Sequence, residues 1–275
     1  MLFRSTKVTA TQIAGLTTTA IGLLTDTQVA AFSATQVGRL SAGQIGALTS
    51  TEVQAFTTTQ MNALTATQLG GLTTTALESF SVDQIAGLTT TQVQGLTTTQ
   101  LNAVGTDTFQ AINVSSLSWN QLRGLTTTAI GEMTETQVST LTSTEIGLLS
   151  TSQLGALTST EVQAFTTTQI SALTTRQLSG LTTTALGEFS SDQINAFSTT
   201  QVRSLTTTQL NALSTDLLDA LDVTKATTTQ ISGLTTTAIG QLTGDQVGAF
   251  VTSLIANLTT GQIGALSSDE IQAFT

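Results

Sequence analysis

The chain has 275 residues with seven Lys and Arg against seventeen Asp and Glu, a net charge of -10, and it contains no His, Cys, Tyr or Pro. Phosphate recognition needs clustered basic side chains, so nucleic acid and anionic membrane surfaces are disfavoured as partners. Lacking His, Cys and Tyr, it can assemble neither a hydrolase triad nor a disulfide framework, and haem would have only Met1, Met61 and Met133 as ligands, so no enzyme and no cofactor are expected.

In chain order, residues 1–7 lack the apolar core of a signal peptide. No run approaches the roughly 18 to 20 apolar residues of a membrane span, so any export signal is expected outside this sequence. From Val8 an octapeptide takes over: a leucine, three hydroxyl residues, glutamine, a branched aliphatic, a small polar residue, and Gly or Ala, as in residues 88–95 and again in 96–103. The rhythm holds to Ala111, breaks for five residues (112–116), resumes at Leu117 and breaks again at 221–225. The phrase Gly-Leu-Thr-Thr-Thr-Ala-Ile-Gly opens at Gly15, Gly124 and Gly233, so a 109-residue copy overlies the octads. Counting back from Ile112 makes residues 3–7 an equivalent of the break. The long repeats are therefore 3–111, 112–220 and a partial 221–275, within a single elongated solenoid over 1–275. Abrupt ends suggest a piece of a larger protein or a subunit continuing into its neighbour.

Numbered from its leucine, the octad has Ser or Thr at position 2 and usually Gln or Glu at position 5, the capping box that starts a helix. Asp26, Asp83 and Glu52 illustrate how acidic residues gather at positions 3 to 5, where a helix N-terminus favours negative charge. Position 6 and the next leucine fall on one helix face at i and i+3. An unbroken helix is excluded, because eight residues drift by about 80° on a 3.6-residue turn. The fold class expected is all-α, a solenoid of very short capped helices, one per octad. The alternative is a β-solenoid, which Thr, Val and Ile favour by propensity. Phe32, Phe56 and Phe80, then Phe165 and Phe189, then Phe250 and Phe274 recur every 24 residues at position 1 and serve structurally. That spacing predicts three octads per turn, a triangular coil. Some eleven such turns would build a rod on the order of 100 Å long. Small residues at positions 7 and 8, as in Gly70-Gly71 and Gly264-Ala265, predict close backbone approach between turns.

Candidate sites are sparse. Asp216, Asp219 and Asp222 beside the second break are calcium candidates, with oxygen-bearing counterparts Asp107, Gln110 and Asn113 one copy earlier, and solvated surface is the plainer reading. Trp119, the one tryptophan, is expected to cover apolar surface beside the first break, or to meet a partner. Asn113-Val114-Ser115 and Asn257-Leu258-Thr259 fit the N-glycosylation pattern, which arises easily in a Thr-rich chain. The Thr runs would form ladders, read either as caps and solubility or as an ice-binding surface.

Residues 56–63, Phe-Thr-Thr-Thr-Gln-Met-Asn-Ala, carry a motif that resembles octapeptide tracts of very large bacterial surface or secreted proteins, often labelled haem-utilisation or adhesion proteins. The resemblance spans essentially the whole chain. It implies a structural repeat protein outside or on the surface of a bacterium, with a surface or matrix ligand. The leading expectation is a rod or head-to-tail filament for coating, spacing or adhesion, self-associating through ends that carry no polar cap. An ice-binding solenoid and a passive stalk of a giant adhesin are the alternatives.

Overall fold

The computed structural model describes residues 8–272 and residue 274; the break-like opening segment, residues 3–7, lies outside them. Among the described residues there are thirty-two α-helices of four to six residues, two 3₁₀ turns and no strand. The architecture is an all-α solenoid, with one short helix per octad.

Most helices start by the same exchange. In Ala42–Ile45, the Ser41 Oγ accepts the Gln44 backbone N–H at 3.1 Å, and the Gln44 Oε1 accepts the Ser41 N–H at 2.7 Å. A helix this short could not stand alone in water. The preference of Thr for extended backbone is used at position 2, as at Thr17 with φ -71° and ψ 158°. Here the residue that looks like a strand former is the one that ends one helix and caps the next. The chain then turns without left-handed residues: no described residue, glycine included, has a positive φ.

The chain divides into two compact units, residues 1–137 and 138–275. Within each, a helix packs on the third helix before it. In the first unit Ala34–Val37 packs on Ala10–Ala14, and Thr90–Gly95 on Ala66–Gly70; in the second, Thr167–Ala172 packs on Ser143–Leu148, and Thr199–Ser204 on Thr175–Gly180. Three octads therefore close one turn. Position 1 and position 6 fill the interior, with Ile13, Ile21, Leu69 and Leu77 fully buried. Burying such a side chain stabilises by about 1.5–3 kcal/mol. Phe32, Phe56, Phe80, Phe165, Phe189 and Phe250 lie in this core, and Phe274 is half-buried.

Glycines provide closeness rather than conformational freedom. A Cβ on Gly124 would sit 2.6 Å from Thr98 Cγ2, and one on Gly71 would sit 2.9 Å from Ala42 Cβ. Gly70 presses on the Gly95 carbonyl in the same way, whereas Gly264 meets nothing within 4 Å. The breaks are shortened octads. At Val114–Ser116 and Val223–Lys225 the helix shrinks to one 3₁₀ turn, capped by Asn113 and Asp222. The three-helix register continues through it, since Val114–Ser116 packs on Thr90–Gly95 and Trp119–Gly124 on Thr98–Leu101.

Candidate functional site

The buried polar groups of the coil show what its chemistry is used for. Besides its cap bond, Gln44 donates from Nε2 to the carbonyls of Ile13 and Ala14 at 3.2 Å and of Leu16 at 2.7 Å, 28 to 31 residues back. Those carbonyls lie at a helix end one turn earlier; Ile13 also accepts the Leu16 N–H at 3.0 Å, whereas Leu16 itself lies beyond the last helical residue. Gln68, Gln92, Gln100, Gln177 and Gln209 repeat both halves of the arrangement. Position 5 is thus a clamp: its oxygen caps its own helix and its nitrogen ties down the preceding turn. Among the described residues no buried side-chain nitrogen or oxygen lacks a partner.

The capping half of this clamp follows from the sequence; the interturn half does not. A hint was available, because a helix N-terminus welcomes Glu as readily as Gln, yet Gln far outnumbers Glu at position 5. Only the amide can donate. Glu52, 2% exposed, keeps the cap bond to Thr49 N–H at 2.7 Å, but a carboxylate has no hydrogen to offer the turn before it. Asn102 and Asn211 supply a further clamp at position 7. Each donates to a glycine carbonyl 22 residues on, Gly124 at 2.8 Å and Gly233 at 3.0 Å. Each also accepts the N–H of a cap residue, Thr126 and Thr235, both at 2.8 Å. Those two caps open octads with Ala129 and Ala238 in place of glutamine.

Outside the clamps, most hydroxyl side chains of positions 3 and 4 are exposed, although Thr207 and Thr228 are half-buried. In the unit 138–275 one column of helices carries them without interruption: Ser159 and Thr160, Thr183 and Thr184, Thr207 and Thr208, Thr228 and Thr229, Thr252 and Ser253. The column is tied together by Gln163 Nε2 donating to the Glu188 carbonyl at 3.4 Å and by Gly233 packed on Thr207. Its only charges are the buried Glu161 and the half-buried Glu188. Arg176, Arg203, Lys225, Asp192 and Asp216 lie on the unit's other columns. In the unit 1–137 the comparable rows are broken by Ala42, Gly43, Ala66, Val82, Asp83 and Trp119.

Asp219 and Asp222 line one shallow groove at the second break with Asn195 and Asp245, while Asp216 is not part of it. Asp222 is committed to its turn, its Oδ1 accepting Thr224 N–H at 3.1 Å and Thr224 O–H at 2.5 Å. Those hydrogen bonds, the Thr224 hydroxyl first and with the Lys225 ammonium adding 3.5 Å from Oδ2, hold its carboxyl below the usual range. Among the described residues no three His, Cys, Asp or Glu side chains are grouped to hold a metal ion. Trp119 is 62% exposed at the start of its helix, so it leaves most of its ring outside rather than over the core. Among the described residues no helix is long and apolar enough to cross a membrane.

Comparison with known proteins agrees with the repeat geometry. A family model described as the ALTTAQ repeat matches residues 37–74, 175–207 and 190–223, the last two overlapping. The chain is thus similar to ALTTAQ repeats in both units and reads as a repeat-tract protein. No curated protein matches it.

Proposed function

We propose that the chain is an extracellular structural spacer without catalytic activity, in which the stacked coils themselves are the working part. The observation that supports this best is the glutamine clamp: in turn after turn a buried glutamine holds the turn before, and among the described residues no buried side-chain nitrogen or oxygen lacks a partner. An array bonded only to its neighbours lengthens by adding turns. The resemblance of its octads to tracts of very large bacterial surface and secreted proteins supports a place outside a bacterial cell, as a coat, spacer or adhesive stalk. Copies joined end to end through the same clamps would form a filament, a contact that need not close.

Antibody labelling of intact and lysed cells, with electron microscopy of the purified chain at rising concentration, tests the reading. Labelling confined to lysed cells would sink the extracellular placement. Particles of unchanged length after deletion of one 109-residue copy would sink the spacer. Filaments that lengthen with concentration would support self-association, and particles of constant length would reject it.

Ice binding is the second reading, favoured by the hydroxyl column of residues 138–275, whose only charges are Glu161 and Glu188. Thermal hysteresis should then appear and be abolished by Thr184→Lys or Thr208→Lys, but not by Thr144→Lys on another column. An absence of hysteresis in the unaltered chain at millimolar concentration would end it.

A further inference from the structure

The two Asn-X-Ser/Thr triplets look alike in sequence and differ in the fold. Asn113 is exposed and opens the first break as the cap of Val114–Ser116. Its Oδ1 accepts the Ser115 N–H at 3.2 Å and the Ser115 hydroxyl at 2.7 Å, an Asx turn stabilised at both donors. Both bonds fall on the carbonyl oxygen, and the Nδ2 makes no hydrogen bond to any described residue. Asn257 is exposed too, but its Nδ2 donates to the Ser253 carbonyl at 2.7 Å. The hydroxyl of its triplet is also occupied, since Thr259 caps Thr260–Gly264 and binds Gln262. Only Asn113 presents a free amide nitrogen beside a motif hydroxyl already turned towards its own carboxamide.

We propose that Asn113 is an acceptor for an N-linked glycan and that Asn257 is not. The donor class is a saccharide carried on a polyprenyl diphosphate, transferred by an oligosaccharyltransferase. A bond forms between Asn113 Nδ2 and the anomeric carbon; the carbon–oxygen bond to the diphosphate breaks, its electron pair leaves with the diphosphate, and one Nδ2 proton passes to a base of the transferase. Nothing is oxidised or reduced. At Asn113 no protein hydrogen bond of the attacking nitrogen has to be broken, whereas at Asn257 one does. The second break cannot take part, because its counterpart is Asp222, which makes the same turn with a carboxylate. The glycan would therefore mark one break only. The inference rests on the extracellular reading for where the chain meets such a donor.

The test incubates the folded full-length chain, carrying a flexible C-terminal tag with its own Asn-Ala-Thr, with an oligosaccharyltransferase and a polyprenyl-diphosphate oligosaccharide, followed by peptide mapping. The tag and Asn113 should be modified and Asn257 left bare. Asn113→Gln should remove one glycan mass, and Asn257→Gln none. A modified tag with Asn113 bare overturns the proposal, as does equal occupancy at Asn257. Cell labelling decides the location separately: a chain found only inside cells yet modified at Asn113 in this reaction would sink the placement and leave the acceptor standing.

Discussion

The surroundings of the two breaks, 109 residues apart, perform the same tasks with different side chains. At the second break Lys225 donates to the Phe197 carbonyl at 2.8 Å, 28 residues back, the offset that Gln60 uses to reach Phe32. Its counterpart Ser116 instead pairs with the Thr90 hydroxyl at 3.2 Å. Before the first break Gly105 has no side chain with which to cap Thr106–Ala111, and Glu78 of the previous turn accepts its N–H at 2.7 Å. One copy later Ser214 caps its own helix, with a 3.4 Å bond from Leu217 N–H, and the Glu78 position is Gly187. Gln121 and Gln230 reach 28 and 25 residues back, and the two asparagine clamps are unchanged. What persists between copies is the satisfaction of helix ends across turns. The residue that achieves it is free to vary.

The largest effect that would break this equivalence is expected at the clamp. Gln100→Glu keeps the bond to Thr97 N–H but places an oxygen before the Leu69 and Leu72 carbonyls, where Nε2 now donates to each at 2.8 Å. The loss should be about 3 kcal/mol, and Gln209→Glu should match it. Unfolding of a repeat array need not be two-state, so amide exchange at Thr97 and Thr206 is the readout. Unequal costs would show that the copies are not equivalent. The reverse change, Glu52→Gln, should stabilise by about 1 kcal/mol. Next comes packing. Gly124→Ala and Gly233→Ala each meet a threonine methyl at 2.6 Å and should cost about 1–3 kcal/mol. Gly187→Ala, with nothing within 4 Å, should be neutral or gain up to about 1 kcal/mol. Equal thermal melts for all three would remove close approach as the reason for glycine. Smaller again is the exchanged cap: Glu78→Gly should cost about 1 kcal/mol, and adding Gly105→Ser should restore it. A double variant no better than the single would refute the compensation.

These features differ in how far sequence alone reveals them. The capping boxes are local, their partners three residues apart, so Ser41 and Gln44 announce a helix without further context. The 24-residue return of Phe32, Phe56 and Phe80 carries the closure at three helices per turn. The interturn bonds are not local: Gln44 and Leu16 are 28 residues apart, and the acceptor is a backbone carbonyl that any residue would present. No side-chain pattern encodes it. The exchange of Glu78 and Gly105 for Gly187 and Ser214 is written in the sequence but has meaning only once the coil brings the pairs together. The hydroxyl column of residues 138–275 is likewise invisible until the 221–225 break is known to shorten its turn without losing a helix from the register.

The smallest predicted effect isolates the one place where the breaks differ in charge. Asn113 and Asp222 make the same Asx turn, but only Asp222 can titrate. Its carboxyl is held below its usual range, first by the Thr224 hydroxyl, so the folded state binds its proton less readily than the unfolded chain. The resulting stability is present above the unfolded value, about 3.9, and is lost as pH falls through the lower folded value. Asp222→Asn copies the first break onto the second. It should leave stability at neutral pH nearly unchanged, since the ion pair with Lys225 is solvent-facing and weak. It should also remove the acid-dependent opening at Thr224, read by amide exchange between pH 5 and 3. The Asn113 turn in the same molecule is the internal reference: its exchange should follow only the chemical pH dependence of the amide in both proteins. Acid sensitivity at Thr224 that survives the substitution would show that the Asp222 carboxyl is not its origin.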